Sequence, residues 1–165
     1  NRIGAILVFP NQDSIENLIS GGEEIQCKVN KSMLLSIFNT KSPRHDGAVV
    51  IENGQMTRLG AVLPIASGDR ALDGWGTRHL AALGLSEVCD AHILVVSEER
   101  GTVSHIHDTE VHVITHVNEE SLRPLVQETL GTLEDPQLER KRKLKNLFLW
   151  TGSLAIAAAL SFGLE

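Results

Sequence analysis

The sequence predicts an α/β (α+β-like) fold: a single domain with a central mixed β-sheet flanked by helices, followed by a C-terminal hydrophobic helix. Three observations carry this. Apolar runs at residues 3–9 and 91–96 have the length and β-branched content of strands covered on both faces. Asn53-Gly54 stands between two further apolar runs, the strongest short-range hairpin signal, because both turn positions tolerate positive φ. Apolar residues recur at helical spacing around 33–38 and 79–85, each stretch bounded by a capping residue or glycine.

In chain order, Ile3-Gly4-Ala5-Ile6-Leu7-Val8-Phe9 reads as an interior strand closed by Pro10. Asp13, with Glu16 three residues on, predicts a short helix that stops at Gly21-Gly22. Asn30 caps a second helix through Met33, Leu34, Leu35, Ile37 and Phe38, whose apolar density predicts burial. Pro43 ends that region. From Gly47 the period becomes two, giving an antiparallel pair of 48–51 with 55–63. A helix opens at Gly74-Trp75-Gly76 and is expected to end at Gly84. Residues 91–96 form a buried strand, Glu99-Arg100-Gly101 a turn, and 102–107 and 110–114 two more strands. A final helix is expected from about 119 to 130.

The 165 residues are enough for one core without disulfides, and Cys27 and Cys89 have no paired spacing, so both read as small apolar side chains. A net charge of −6 argues against broad capture of nucleic acid. No signal peptide opens the chain, and its start without Met points to a fragment. Three regions follow: a folded domain over 1–131, a basic linker over 132–146 and a transmembrane segment, complete or cut short, over 147–165. Arg140-Lys141-Arg142-Lys143-Leu144-Lys145 precedes an 18-residue stretch with no charged side chain, 147–164. That pattern predicts a membrane anchor with the preceding domain in the cytoplasm; a hydrophobic helix docked on protein is the other reading.

Chemistry concentrates at the ends of these elements. Arg44-His45-Asp46-Gly47-Ala48 precedes a strand and offers a carboxylate for a metal or for taking a hydroxyl proton, with His45 as a second ligand. On its own Asp-Gly is equally a turn. Gly74-Trp75-Gly76-Thr77-Arg78-His79 heads a helix, where backbone N–H groups, a hydroxyl and a guanidinium suit phosphate. The spacing is not that of a Walker loop. Ser97-Glu98-Glu99 follows a buried strand and adds a phosphate-binding hydroxyl and carboxylates suited to Mg²⁺ or Mn²⁺.

Together these residues resemble the diadenylate cyclase domain family. The likeness rests on Arg44-His45-Asp46-Gly47-Ala48-Val49-Val50, then Gly76-Thr77-Arg78-His79 continuing as Ala81-Ala82-Leu83-Gly84-Leu85-Ser86-Glu87, then Asp90-Ala91 and Val95-Val96-Ser97-Glu98-Glu99. It covers roughly residues 1–116. The resemblance implies a metal-dependent nucleotidyltransferase that condenses two ATP into the second messenger cyclic di-AMP and two pyrophosphates, with two subunits face to face and half a site in each. It implies catalytic roles at Asp46, Gly47 and Ala48, ATP contacts at Leu63, Gly76, Thr77, Arg78, His79, Ser97 and Glu98, and Mg²⁺ or Mn²⁺ at His45, Asp46 and Glu99. Partners are then ATP, a second copy of the chain and the membrane, with no nucleic acid.

Two positions depart from the family pattern. Leu80 stands where a second Arg is usual, and Val62 where an aromatic residue often precedes the adenine-contacting Leu. They motivate an alternative: a degenerate cyclase domain that binds ATP or cyclic di-AMP as a sensor without turnover. A metal-dependent nucleotide hydrolase is a third reading. Outside the motifs, His105, His107, His112 and His116 are expected to face solvent, with a metal site drawn from His105 and His107, which share a strand face, as the other reading, while His92 is expected in the core or at an interface.

Overall fold

The computed structural model describes residues 3–66, 75–118 and 120–123, all within the first of two compact units, which extends to Thr132. The basic run at 140–145 and the predicted anchor at 147–165 lie outside the described residues. Among the described residues no helix is long and apolar enough to cross a membrane.

The elements are β1 (Ala5–Phe9), β2 (Glu23–Lys28), α1 (Lys31–Ile37), β3 (Ala48–Glu52), β4 (Gln55–Ala61), α2 (Thr77–Ser86), β5 (His92–Val96), β6 (Val103–His107) and β7 (Glu110–Ile114). The strands form one seven-stranded sheet in the order β2-β4-β3-β1-β5-β6-β7. β1 and β3 run parallel; the other neighbours are antiparallel, so the sheet is mixed as predicted.

β1 sits at the middle of this order because its side chains are apolar in both directions. Ile6 and Val8 join Ala48, Val50, Ile93, Val95 and Ile106 on the face that packs against Ala82, Leu83 and Leu85 of α2. Residues of the opposite parity, among them Phe9, Val49, Ile51 and Leu94, are also buried. Two covered faces explain the uninterrupted apolar runs. The β3–β4 hairpin turns on Asn53 and Gly54 at φ 51° and 74°, both left-handed, as the Asn-Gly pair requires.

Several elements differ from the sequence reading. The segment after Asp13 makes a single turn, with Leu18 and Ile19 N–H groups donating to the Ile15 carbonyl, and is not a helix. The Asp13 carboxylate accepts instead from the Asp90 N–H at 3.2 Å, while the Asp90 carboxylate accepts from Gln12 and Asp13 N–H at 3.1 and 3.0 Å. β2 was not anticipated: it is an edge strand of mostly exposed Glu, Gln and Lys, in which only Ile25 and Cys27 are half-buried. α1 is capped by Asn30, whose side chain accepts from Met33 N–H at 2.9 Å, but Met33 and Leu35 are exposed and within the helix only Ile37 is buried. α2 runs past Gly84 to Ser86, because Gly84 lies against the backbone of Pro64, Ile65 and Ala66, where a Cβ would collide. Of the last predicted helix, 120–123 is helical; its remainder lies outside the described residues.

Cys89 is buried, as expected, and burial pushes its thiol pKa up; Cys27 is only half-buried. The histidines correct a further expectation. His105 is 2% exposed, not solvent-facing. Its Nε2 shares a 3.0 Å hydrogen bond with Nδ1 of buried His92, and His107 stacks on His92 with centroids 3.9 Å apart.

Candidate active site

The N-terminal ends of β1 and β3, the C-terminal end of β5 and the start of α2 converge at one edge of the sheet. The parallel pairing of β1 with β3 and the antiparallel pairing of β1 with β5 bring those ends together. Between them lies a cleft of about 460 Å³, with Ile6, Ala81 and Val96 as apolar lining and Asp46, Gly76, Thr77, Arg78, Ser97, Glu98 and Glu99 among its polar groups. The motifs around residues 46, 77 and 97 thus meet in space.

Arg78 joins them. Its guanidinium is 3.1 Å from the Glu98 carboxylate and 4.0 Å from that of Asp46. Gly4 makes this possible, since a Cβ there would run into the Arg78 guanidinium and the Glu98 carboxylate. The Asp46 carboxylate also lies 3.2 Å from His45 Nε2, and His45 Nδ1 bonds the Ser42 carbonyl at 2.6 Å, donating as an N–H.

α2 begins without a side-chain cap and without an acidic residue in its first turn. The positive end of the helix dipole is therefore left uncompensated beside the cleft, which favours an anion. Ser97 opens a tight turn: its Oγ accepts the Arg100 N–H at 3.1 Å and its carbonyl the Gly101 N–H at 2.9 Å. The hydroxyl proton remains available to a phosphate oxygen.

His79 lines the cleft but is only 9% exposed. Its Nε2 meets Ser104 Oγ at 3.0 Å, and Trp75 packs on it edge to face. Burial first, then the Arg100 charge, lower its pKa, against an opposing pull from Glu99. The imidazole is thus held toward its neutral form.

Not every residue read from the sequence reaches the cleft. Ala48 is fully buried in the core and Leu63 is 6% exposed. Gly47 packs on the Gly60 backbone, where a side chain would collide. The set His45, Asp46 and Glu99 is not gathered as a ready-made metal cage. Among the described residues no three His, Cys, Asp or Glu side chains form one. Leu80 is not among the cleft-lining residues; its carbonyl accepts the Ala66 N–H. Sequence reasoning missed Gly4 and Arg100, both beside the cleft. A glycine within an apolar strand run was the available signal for Gly4.

Residues 1–111 match the family model DAC, the DisA bacterial checkpoint controller nucleotide-binding family. The chain belongs to the DAC family. Among curated DAC relatives, it is 34% identical over 126 residues to the cyclic di-AMP synthase CdaA of Bacillus subtilis, covering 76% of this chain and 45% of that protein. It is 41% identical over 101 residues to the diadenylate cyclase CdaS of Bacillus thuringiensis, covering 61% and 50%. The DAC domain here is also similar to the crystal structure of a double-cysteine mutant of DacA from Staphylococcus aureus. That match has TM-score 0.71 and 31% identity, covering 78% of this chain and 84% of that one. A hypothetical membrane spanning protein from Bacillus cereus matches with TM-score 0.65 and 38% identity, over 67% and 54% of the two chains. The chain spans about half the length of the curated relatives it matches.

Proposed function

We propose that this DAC domain is a diadenylate cyclase that condenses two ATP into cyclic di-AMP and two pyrophosphates, two copies meeting face to face with one nucleotide each. The observation that carries this is the meeting of Asp46, Arg78 and Glu98 in one cleft, in a chain of the DAC family. In each half-reaction the 3′-oxygen of one nucleotide bonds to the α-phosphorus of the other. The bond from that phosphorus to the bridging oxygen breaks, and pyrophosphate leaves with the electron pair. The side chain of Asp46 is 81% exposed and free to reach a partner's nucleotide, so its carboxylate suits the role of taking the 3′-hydroxyl proton. Thr77, Arg78 and Ser97 would hold phosphate oxygens, and the start of α2 adds its dipole. Positioning and charge neutralisation suffice for such a transfer, which suits a cleft without an activated nucleophile.

A divalent cation fits this donor set as a companion of the nucleotide. Mg²⁺ commonly takes one or two carboxylates plus substrate phosphates and keeps its remaining water, so a three-residue cage is not required. Asp46 would hold it, with His45 and Glu99 as nearby donors, and when bound it would neutralise charge on the phosphates. Mn²⁺ suits the same ligands.

We further propose membrane attachment through residues 147–165, with the DAC domain in the cytoplasm, on the strength of the uncharged stretch and the basic run before it. The similarity to a protein titled membrane spanning supports the same reading.

Chromatography of products from ATP with Mg²⁺ or Mn²⁺ tests the activity: cyclic di-AMP is expected. Asp46→Asn should lower its formation by about a hundredfold or more while circular dichroism stays unchanged. Tight ATP binding without pyrophosphate release would favour the sensor reading, and linear products a hydrolase. Undiminished activity in Asp46→Asn would remove that residue from the mechanism.

A further inference from the structure

We propose that Ser104, buried on β6, is a positioning residue of the cleft: its hydroxyl donates to Nε2 of His79 and so sets that imidazole with Nδ1–H toward the bound nucleotide. The proposal rests on the nucleotide-binding reading above and adds a residue outside the motifs that support it.

Ser104 is 1% exposed and lies opposite Val95 in the β5–β6 register, two residues before Ile106, on the sheet face that packs against α2. Val95 and Ile106 are fully buried. A hydroxyl among such neighbours is costly unless a hydrogen bond compensates it. Its partner is His79 Nε2 at 3.0 Å, and among the described residues it has no other. A hydroxyl and an imidazole nitrogen can share such a bond in either direction. Were Nε2 protonated, it would donate to Oγ, and the Ser104 proton would be left buried without an acceptor. With Ser104 donating, the hydroxyl proton and Nε2 are both satisfied, and the imidazole proton sits on Nδ1.

His79 lines the cleft and has no buried nitrogen lacking a partner, so with Nε2 turned to β6 its Nδ1 is the nitrogen open to the cavity. The ring is held from three sides. Its backbone N–H donates to the Gly76 carbonyl at 2.9 Å in the first turn of α2, Trp75 meets it edge to face with centroids 4.6 Å apart, and Ser104 takes the far nitrogen. The result is a neutral donor in the helix turn that also carries Thr77 and Arg78. The burial that lowers the His79 pKa keeps it neutral near neutral pH. A free neutral imidazole prefers its proton on Nε2, but in a protein the bond made by one nitrogen decides what the other carries. Here Ser104 imposes the less common form.

Heteronuclear NMR of the imidazole nitrogens of the full chain, with the His79 signals assigned through His79→Ala, reads which nitrogen is protonated; calorimetry in Mg²⁺ buffer reads ATP binding. The wild type is expected to show His79 in the Nδ1–H form. Ser104→Ala, which removes only the hydroxyl, should shift His79 toward the Nε2–H form and weaken ATP binding by about fivefold. Ser104→Thr keeps a hydroxyl and should retain both properties. In the His79→Ala background, Ser104→Ala should change the affinity no further, as expected of a residue that acts through the ring. An Nε2–H form in the wild type, or an equal loss in both backgrounds, would overturn the proposal while leaving the cyclase reading intact. A chain that binds ATP with this pattern but makes no cyclic di-AMP would remove the cyclase reading and leave Ser104 its role. A wild-type chain that binds no ATP would overturn both.

Discussion

Arg78 is the side chain that ties the cleft together. It draws Asp46, two residues before β3, and Glu98, two residues after β5, toward the start of α2, and it fits there because position 4 lacks a side chain. Asp46, Thr77, Arg78, Ser97, Glu98 and Glu99 were legible in the sequence because polar side chains at the ends of apolar elements have few structural reasons to be there. Arg100 and Gly4 were not legible: one lies in an ordinary charged turn, and the other looks like any glycine until the guanidinium beside it is seen. Conversely, Ala48 and Leu63 carry a family resemblance, yet their side chains serve the core. At this scale the pH dependence of stability is set in part by His79. Its pKa lies below the ordinary 6.5, so the native state binds fewer protons there than the unfolded chain. Stability is therefore full above about pH 6.5 and declines as the pH drops below it, toward the lowered native value. Urea unfolding between about pH 7.5 and pH 5.5 should show that decline, and His79→Gln should flatten it. Identical pH profiles for the two proteins would exclude His79 as a source.

Among the elements, those with two buried faces were the easiest to find. β1 and β5 announce themselves as apolar runs, and the β3–β4 hairpin by its turn residues, because their local chemistry and tertiary position agree. β2 was hidden by its place at the sheet edge, where charged side chains are an advantage. The supposed helix at Asp13 failed for a different reason: its capping carboxylate is engaged by a backbone amide far along the chain. α2 carries the most direct test of element packing. Gly84 looks like a helix stop but is an interior position where the backbone of residues 64–66 comes too close for a side chain. Alanine there would gain about 1 kcal/mol of helix propensity. It would lose more to overpacking, for a net destabilisation of about 1–3 kcal/mol. Denaturant midpoints measure the difference, and a stabilised Gly84→Ala would contradict the close approach.

For the whole molecule, the net charge of −6 averages two unlike parts. Residues 1–139 carry 10 basic and 20 acidic side chains, whereas 140–145 adds five positive charges. An acidic domain repels anions at long range, so under the proposed function ATP would have to be held locally by arginines, a helix terminus and a divalent cation. The face-to-face reaction proposed above would make turnover depend on encounter between domains. The specific activity of a chain ending at residue 139 should fall on dilution. The full chain on anionic lipid vesicles should hold its activity, because confinement to a surface raises the effective concentration. Equal dilution curves would argue against either pairing or anchoring. The reciprocal bonds between Asp13 and Asp90 bear on how such an encounter is felt inside each domain. They fasten the end of the β1–β5 pair remote from the cleft, as a rivet fastens one end of two laths. With that end fastened and five register pairs between the strands, β5 is held against sliding along β1, which keeps Ser97 and Glu98 at a set spacing from Gly4 at the opposite end.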